Sequence, residues 1–191
     1  MAAMQGAGRT MDKALGDIFA EFEARELVDN TIFCITTDHG LDFPRAKGTL
    51  FDPGIEVFLF LRYRGGGWKE GVRFPQLVSQ LDLYPTLLEA CRAPVPEKTR
   101  GRSLVPLLSG EGNFNERDYI FAEKTYHDNY DPMRAVRSAN GLKYVLNFDA
   151  QTLYDVRIAT APRYKWFRFP YAKSSREELY DLNRDPHETE N

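Results

Sequence analysis

Three things are scarce in this sequence, and each scarcity closes off a class of reading. Cysteine occurs twice in 191 residues, too few for a disulfide framework. Cys34 lies inside the apolar run 32–35 and Cys91 on an apolar helix face, so both read as buried small hydrophobes. Positive charge is in no excess, with 25 Lys and Arg against 28 Asp and Glu and a net charge of -3. The stretch 173–191 alone holds three basic and six acidic residues. The remainder is balanced, which leaves no field to draw nucleic acid or an anionic membrane. Long apolar runs are missing as well. None approaches the roughly 20 residues that cross a bilayer, and the first ten residues lack the apolar stretch of a signal peptide. A soluble chain with neither a nucleic-acid nor a membrane partner is expected.

What is present is an ordinary globular composition, 42% apolar and 28% charged. From Met11, the positions Leu15, Ile18, Phe19 and Phe22 mark one face of a helix expected to run to about Leu27. Thr31 to Thr37 is β-branched and aromatic without alternation, the texture of a strand buried on both faces of a parallel sheet. Ile55 to Leu61 is a second such run. Between them Asp38-His39-Gly40 opens a polar loop punctuated by Pro44, Gly48, Pro53 and Gly54, long enough to carry function. Asp82 is placed to cap a helix with Pro85 in its first turn and Tyr84, Leu87, Leu88 and Cys91 on one face.

Beyond Gly112 the texture changes to short alternating strands. Tyr119 to Lys124, Met133 to Ser138 and Leu142 to Phe148 read as strands, the last after an Asn140-Gly141 turn, and Leu179 to Leu182 as another. An α/β unit over 1–110 followed by a small antiparallel sheet over 111–191 is therefore expected. Two strong strands are too few for a doubly covered parallel sheet, so the first unit reads as part of a larger one.

Asp38 and His39 leave the end of a strand together, where ligands of open α/β sheets collect, and they can offer an oxygen and a nitrogen to one metal ion. A turn cap beside a locally bonded histidine is the plainer alternative. Nine residues beyond Asp38, Lys47 lets a returning loop set an ammonium against an anionic oxygen, with a solvated lysine as the alternative. The segment from Arg163 to Lys173 holds four basic residues, five aromatics and no acid. It could stack on sugar rings and pair with sulfates, or bind single-stranded nucleic acid. The favoured reading is an aromatic loop packed on its own domain.

In chain order come Leu27-Val-Asp-Asn-Thr-Ile-Phe-Cys-Ile-Thr-Thr-Asp38-His39-Gly40, Lys47-Gly-Thr-Leu-Phe-Asp-Pro-Gly54, Leu81-Asp-Leu-Tyr-Pro-Thr-Leu-Leu88 and Gly101-Arg-Ser-Leu-Val-Pro-Leu-Leu108. This series resembles the type I sulfatases. Glu178-Leu-Tyr-Asp-Leu-Asn-Arg-Asp-Pro-His-Glu188 looks like their C-terminal signature. Tyr126-His127-Asp128 followed by Asp131-Pro-Met-Arg134 is similar to the branch containing N-sulfoglucosamine sulfohydrolase.

The resemblance implies part of an alkaline-phosphatase-like mixed α/β sheet with helices, followed by a small C-terminal antiparallel sheet. It implies hydrolysis of sulfate esters or sulfamates carried by a small molecule or glycan, and a periplasmic, secreted or lysosomal setting. Asp38 and His39 match a late pair of metal ligands and Lys47 the cation that contacts the sulfate. His127 matches a contact to the substrate or leaving group, and Asp128 a substrate contact. The family metal is calcium, although an imidazole suits zinc or manganese better. The family's formylglycine arises within Cys/Ser-x-Pro/Ala-x-Arg. Here Cys34 is followed by Ile-Thr-Thr and Cys91 by Arg-Ala-Pro, so neither fits. The expectation is a C-terminal portion of a sulfatase, inactive alone. A phosphoesterase of the same superfamily and a noncatalytic fragment binding sulfated glycans are the alternatives.

Overall fold

The computed structural model describes residues 2–41, 43, 45–127, 129–148, 153–154, 170–171 and 175–191. They form two compact units, one of residues 1–35, 59–74 and 80–114 and the other of 36–58, 75–79 and 115–191. Asp128 and nearly all of 163–173 lie outside the described residues. So does any test of the aromatic segment.

In the first unit, helix α1 (Ala2–Ala24) begins nine residues before the expected Met11. Ala2, Ala3, Met4, Gln5 and Ala7 are good helix formers that extend it without needing a partner face. Phe19 and Phe22, from the expected apolar stripe, pack on Phe33 with ring centroids 4.6 and 5.2 Å apart. The helix stops at Glu26, which takes φ 58 while Leu27 N–H donates back to Phe22 O at 2.9 Å, a left-handed stop. Strand β1 (Phe33–Thr36) pairs with β2 (Leu59–Arg62).

Three expectations for this unit are corrected. Cys34 is exposed, because β1 alternates between half-buried and exposed positions instead of being covered on both faces. Cys91 is exposed as well. Helix α3 (Leu83–Ala90) buries Pro85 and Thr86, whereas Tyr84 is exposed. Asp82 does not cap that helix through its side chain. Its Oδ1 accepts from Arg102 N–H at 2.7 Å, and Thr86 Oγ bonds Asp82 O and receives Leu104 N–H. The buried carboxylate thus ties α3 to the segment that leads into helix α4 (Val105–Ser109).

In the second unit the alternating strands form one antiparallel sheet. Strands β3 (Tyr119–His127), β4 (Asn129–Ser138), β5 (Leu142–Asn147) and β8 (Glu177–Asp181) lie in the order β3-β4-β5-β8. Short strands β6 (Leu153–Tyr154) and β7 (Pro170–Tyr171) pair with each other. The Asn140-Gly141 turn falls between β4 and β5, with Gly141 at φ 92, a value open to glycine. Period-two alternation puts Met133, Ala135, Val145 and Tyr180 on one face of the sheet. There they bury Leu50 and Phe51 from the 36–58 connection. Phe51 meets Tyr180 edge to face at 6.1 Å. The short helix α2 (Asp52–Ile55), with Pro53 near its start, closes the loop, and its last residue, Ile55, was expected to open the second strand, which instead begins at Leu59. Helices with an antiparallel four-stranded sheet give the mixed α/β class expected.

Candidate functional site

The 36–58 connection is closed on itself in nested steps. Thr36 Oγ donates to Phe58 O at 2.7 Å, Gly40 N–H to Gly54 O at 3.0 Å, and Lys47 N–H to Leu41 O at 3.1 Å. Gly40 is required by close approach, since a Cβ there would sit 1.8 Å from Pro53 O. Leu50 and Phe51 then anchor the far arm in the core of the sheet.

Asp38 and His39 stand just beyond β1, and the structure brings their side chains together. His39 Nε2 lies 3.3 Å from Asp38 Oδ2, and Nδ1 lies 2.7 Å from Gly40 O. A carbonyl oxygen only accepts, so Nδ1 carries the proton and, in the neutral ring, Nε2 presents its lone pair toward the carboxylate. Two electron-rich atoms side by side are stabilised by a shared cation or by a second ring proton. Metal-bound histidines are commonly held by such a backbone bond at the other nitrogen. The Asp38 side chain is 85% exposed, open to an incoming group. Among the described residues no three His, Cys, Asp or Glu side chains gather into a group able to hold a metal. The pair fits a metal as two donors of a set and is not a site by itself.

Lys47 is half-buried, and its amide is tied back to Leu41, two residues after His39. His127 comes from a different element, the exposed end of β3, where it pairs with Asn129. A bulge re-registers it. Asp131 and Pro132 lie opposite the single Thr125, so Tyr126 faces Tyr130 and His127 faces Asn129, each one step away from its partner in a regular ladder. Lys124 and Asp131, side chains 9% and 1% exposed, form an ion pair of 2.7 Å at this bulge. A groove of about 520 Å³ lined by Gln76, Arg117, Arg137, Asn140 and Asn183 includes none of the expected site residues among those described.

Behind the loop lies a feature that sequence reasoning did not assign. Lys143 is completely buried, 2.9 Å from Asp52 Oδ1 and 2.6 Å from Glu188 Oε1. Arg137 Nε is 3.4 Å from Asp52 Oδ2, and Asp52 N–H donates to Glu188 Oε2 at 2.7 Å. Burial pushes the Glu188 carboxyl above its ordinary 4.5, against the opposing pull of Lys143. The signal was a lysine two positions before Val145, on the inward parity of an alternating strand.

Residues 39–191 match the family described as N-sulphoglucosamine sulphohydrolase, C-terminal. The chain is 30% identical over 177 residues to an ulvan-active sulfatase of Formosa agariphila, covering 86% of this chain and 34% of that protein. It is 29% identical over 219 residues to human N-sulphoglucosamine sulphohydrolase, covering all of this chain and 43% of the relative. A phosphonate monoester hydrolase of Agrobacterium radiobacter is similar in structure, with a TM-score of 0.68 and 26% identity over 93% of this chain and 34% of that one. The chain thus spans about a third to two fifths of these proteins. Family membership brings a general expectation of metal and formylglycine use. Together with the motif order, the sheet and the match over 39–191, these likenesses establish that the chain belongs to the N-sulphoglucosamine sulphohydrolase C-terminal family, within the sulfatases of the alkaline phosphatase superfamily.

Proposed function

We propose that these residues supply the C-terminal part of a hydrolase of sulfate esters or sulfamates. Residues 1–110 would belong to its α/β catalytic domain and 111–191 to the small sheet subdomain. The observation that carries this reading is the Asp38–His39 pair. It combines a backbone-bound Nδ1, a lone pair at Nε2 and a carboxylate 3.3 Å away, at the start of a loop in which Lys47 N–H bonds back to Leu41 O. Asp38 and His39 would contribute two donors to a divalent metal, calcium by family likeness. When bound, that ion supplies a fixed positive charge to the sulfate oxygens. The Lys47 ammonium neutralises developing negative charge on the same group. His127 protonates the leaving oxygen or nitrogen, and Asp128 contributes to substrate binding. The substrate is a sulfated small molecule or glycan. The 191 residues contain no Cys/Ser-x-Pro/Ala-x-Arg motif, so the 191-residue chain alone should show no turnover.

The test is to assay the complete gene product with an aryl sulfate and a glucosamine N-sulfate. Lys47→Ala and Asp38→Ala should each lower kcat/KM by about a hundredfold or more. Full activity in either variant sinks the assignment. A second reading is favoured by the likeness to the phosphonate monoester hydrolase. Faster turnover of a phosphonate monoester than of either sulfate would establish it in place of the first.

A further inference from the structure

The C-terminal block ending at Glu188 contributes none of the proposed metal or substrate contacts. In the structure Glu188 grips the Lys47 loop at both ends. Its carboxylate accepts from Asp52 N–H and is ion-paired with Lys143, while its carbonyl accepts from Arg45 Nη2 at 2.6 Å. Arg45 also lies over the Phe51 ring at 4.2 Å. Lys47 sits between the two gripped points, Arg45 and Asp52. Both Arg45 and Glu188 adopt left-handed backbone, φ 60 and φ 56, a conformation non-glycine residues hold only where surrounding bonds over-determine it.

We propose that Glu188 is a positioning residue that clamps the 45–52 segment to the sheet and so sets where the Lys47 ammonium is presented. The positioning rests on the reading of Lys47 as the cation that meets the sulfate. A buried ion pair adds little net stability over an apolar replacement, but its bonds are satisfied in one arrangement of the loop. The Glu188 carboxylate meets two different elements at once, the start of α2 and strand β5, and its carbonyl meets a third point, Arg45. Losing these bonds should free the loop while leaving the β3-β4-β5 ladder in place.

The experiment is residue-resolved amide hydrogen exchange on the 191-residue chain, comparing wild type with Glu188→Ala, Glu188→Gln and Arg45→Gly. The amides of Lys47 and Thr49, bonded within the loop, should exchange about tenfold faster in Glu188→Ala, the consequence of losing charged hydrogen bonds. Amides of the β3-β4 ladder should accelerate by a smaller factor, because Asp52 still pairs with Lys143. Glu188→Gln keeps the acceptor for Asp52 N–H and loses the charge, so it should fall between the two. Arg45→Gly suits the left-handed backbone and removes only the side-chain grip. It keeps the idea testable should Glu188→Ala fail to fold, and should also speed Lys47 exchange. Loop amides that do not respond, or loop and sheet amides that accelerate by one common factor, overturn the proposal. In the complete enzyme, Glu188→Ala should raise KM for an aryl sulfate more than it lowers kcat, with partial rescue by Gln. Faster loop exchange, with no sulfatase turnover by the complete enzyme, would uphold the clamp and refute the sulfate reading. Turnover with an unresponsive loop would do the reverse.

Discussion

Replacing Lys143 by methionine probes the buried cluster most directly. The two side chains are similar in length and volume, so little packing is lost. What goes is one positive charge held 2.9 Å from Asp52 Oδ1 and 2.6 Å from Glu188 Oε1, with no exposure to water. Arg137 still faces Asp52 at 3.4 Å, and Glu188 still accepts from Asp52 N–H at 2.7 Å. Neither restores a cation beside Glu188 Oε1. Removing one member of a buried pair leaves an uncompensated charge and costs about 3–5 kcal/mol. Domain stabilities run to about 5–15 kcal/mol, so this is a large share of the total. At about 2–4 °C per kcal/mol for a chain of this size, Tm should fall by roughly 6–20 °C. The assay is urea unfolding followed by circular dichroism, run as a cycle with Glu188→Gln. Once both charges are gone the penalty of the orphaned carboxylate disappears, so the double variant should lose about 1–3 kcal/mol less than the two singles added. A loss below about 1 kcal/mol, typical of exposed pairs, or strict additivity would refute the view that Lys143 and Glu188 act as one buried unit.

Two further outcomes follow from single positions. Gly141→Ala forces a side chain onto φ 92 and against the Asn183 amide, which donates to Asn140 O at 2.9 Å; thermal unfolding should register a loss of about 1–2 kcal/mol, and an unchanged Tm would show that the turn can relax. The second concerns pH: burial raises the Glu188 carboxyl in the folded chain, in the face of Lys143 and Asp52, so its contribution to stability is present below the unfolded carboxyl range and is lost as pH rises through the raised value. Relative to Glu188→Gln, which does not titrate, the wild-type urea midpoint should therefore fall as pH rises above the ordinary carboxyl range, and a relative rise would refute the assignment.

By itself the sequence determined what depends on neighbours along the chain. Alternation placed Met133, Ala135 and Val145 on one face, and Asn140-Gly141 marked the turn between their strands, because side-chain period and turn geometry are local properties. The pairing of Asp38 with His39 was legible for the same reason, as adjacent residues after a strand. Tertiary structure decided the rest. Cys34 read as buried, yet its exposure depends on what covers β1, which no local pattern encodes. Asp82 read as a helix cap, yet it bonds Arg102, 20 residues away. Glu188 lies 136 residues from Asp52 and 45 from Lys143, and nothing in an acidic tail after a proline distinguishes a solvated glutamate from one with no exposed side chain. The physical reason is that a buried charge is acceptable only where its partners converge, and convergence is set by the return of β8 to the edge of β5 and by the docking of Leu50 and Phe51, long-range events on which the placement of Lys47 also depends.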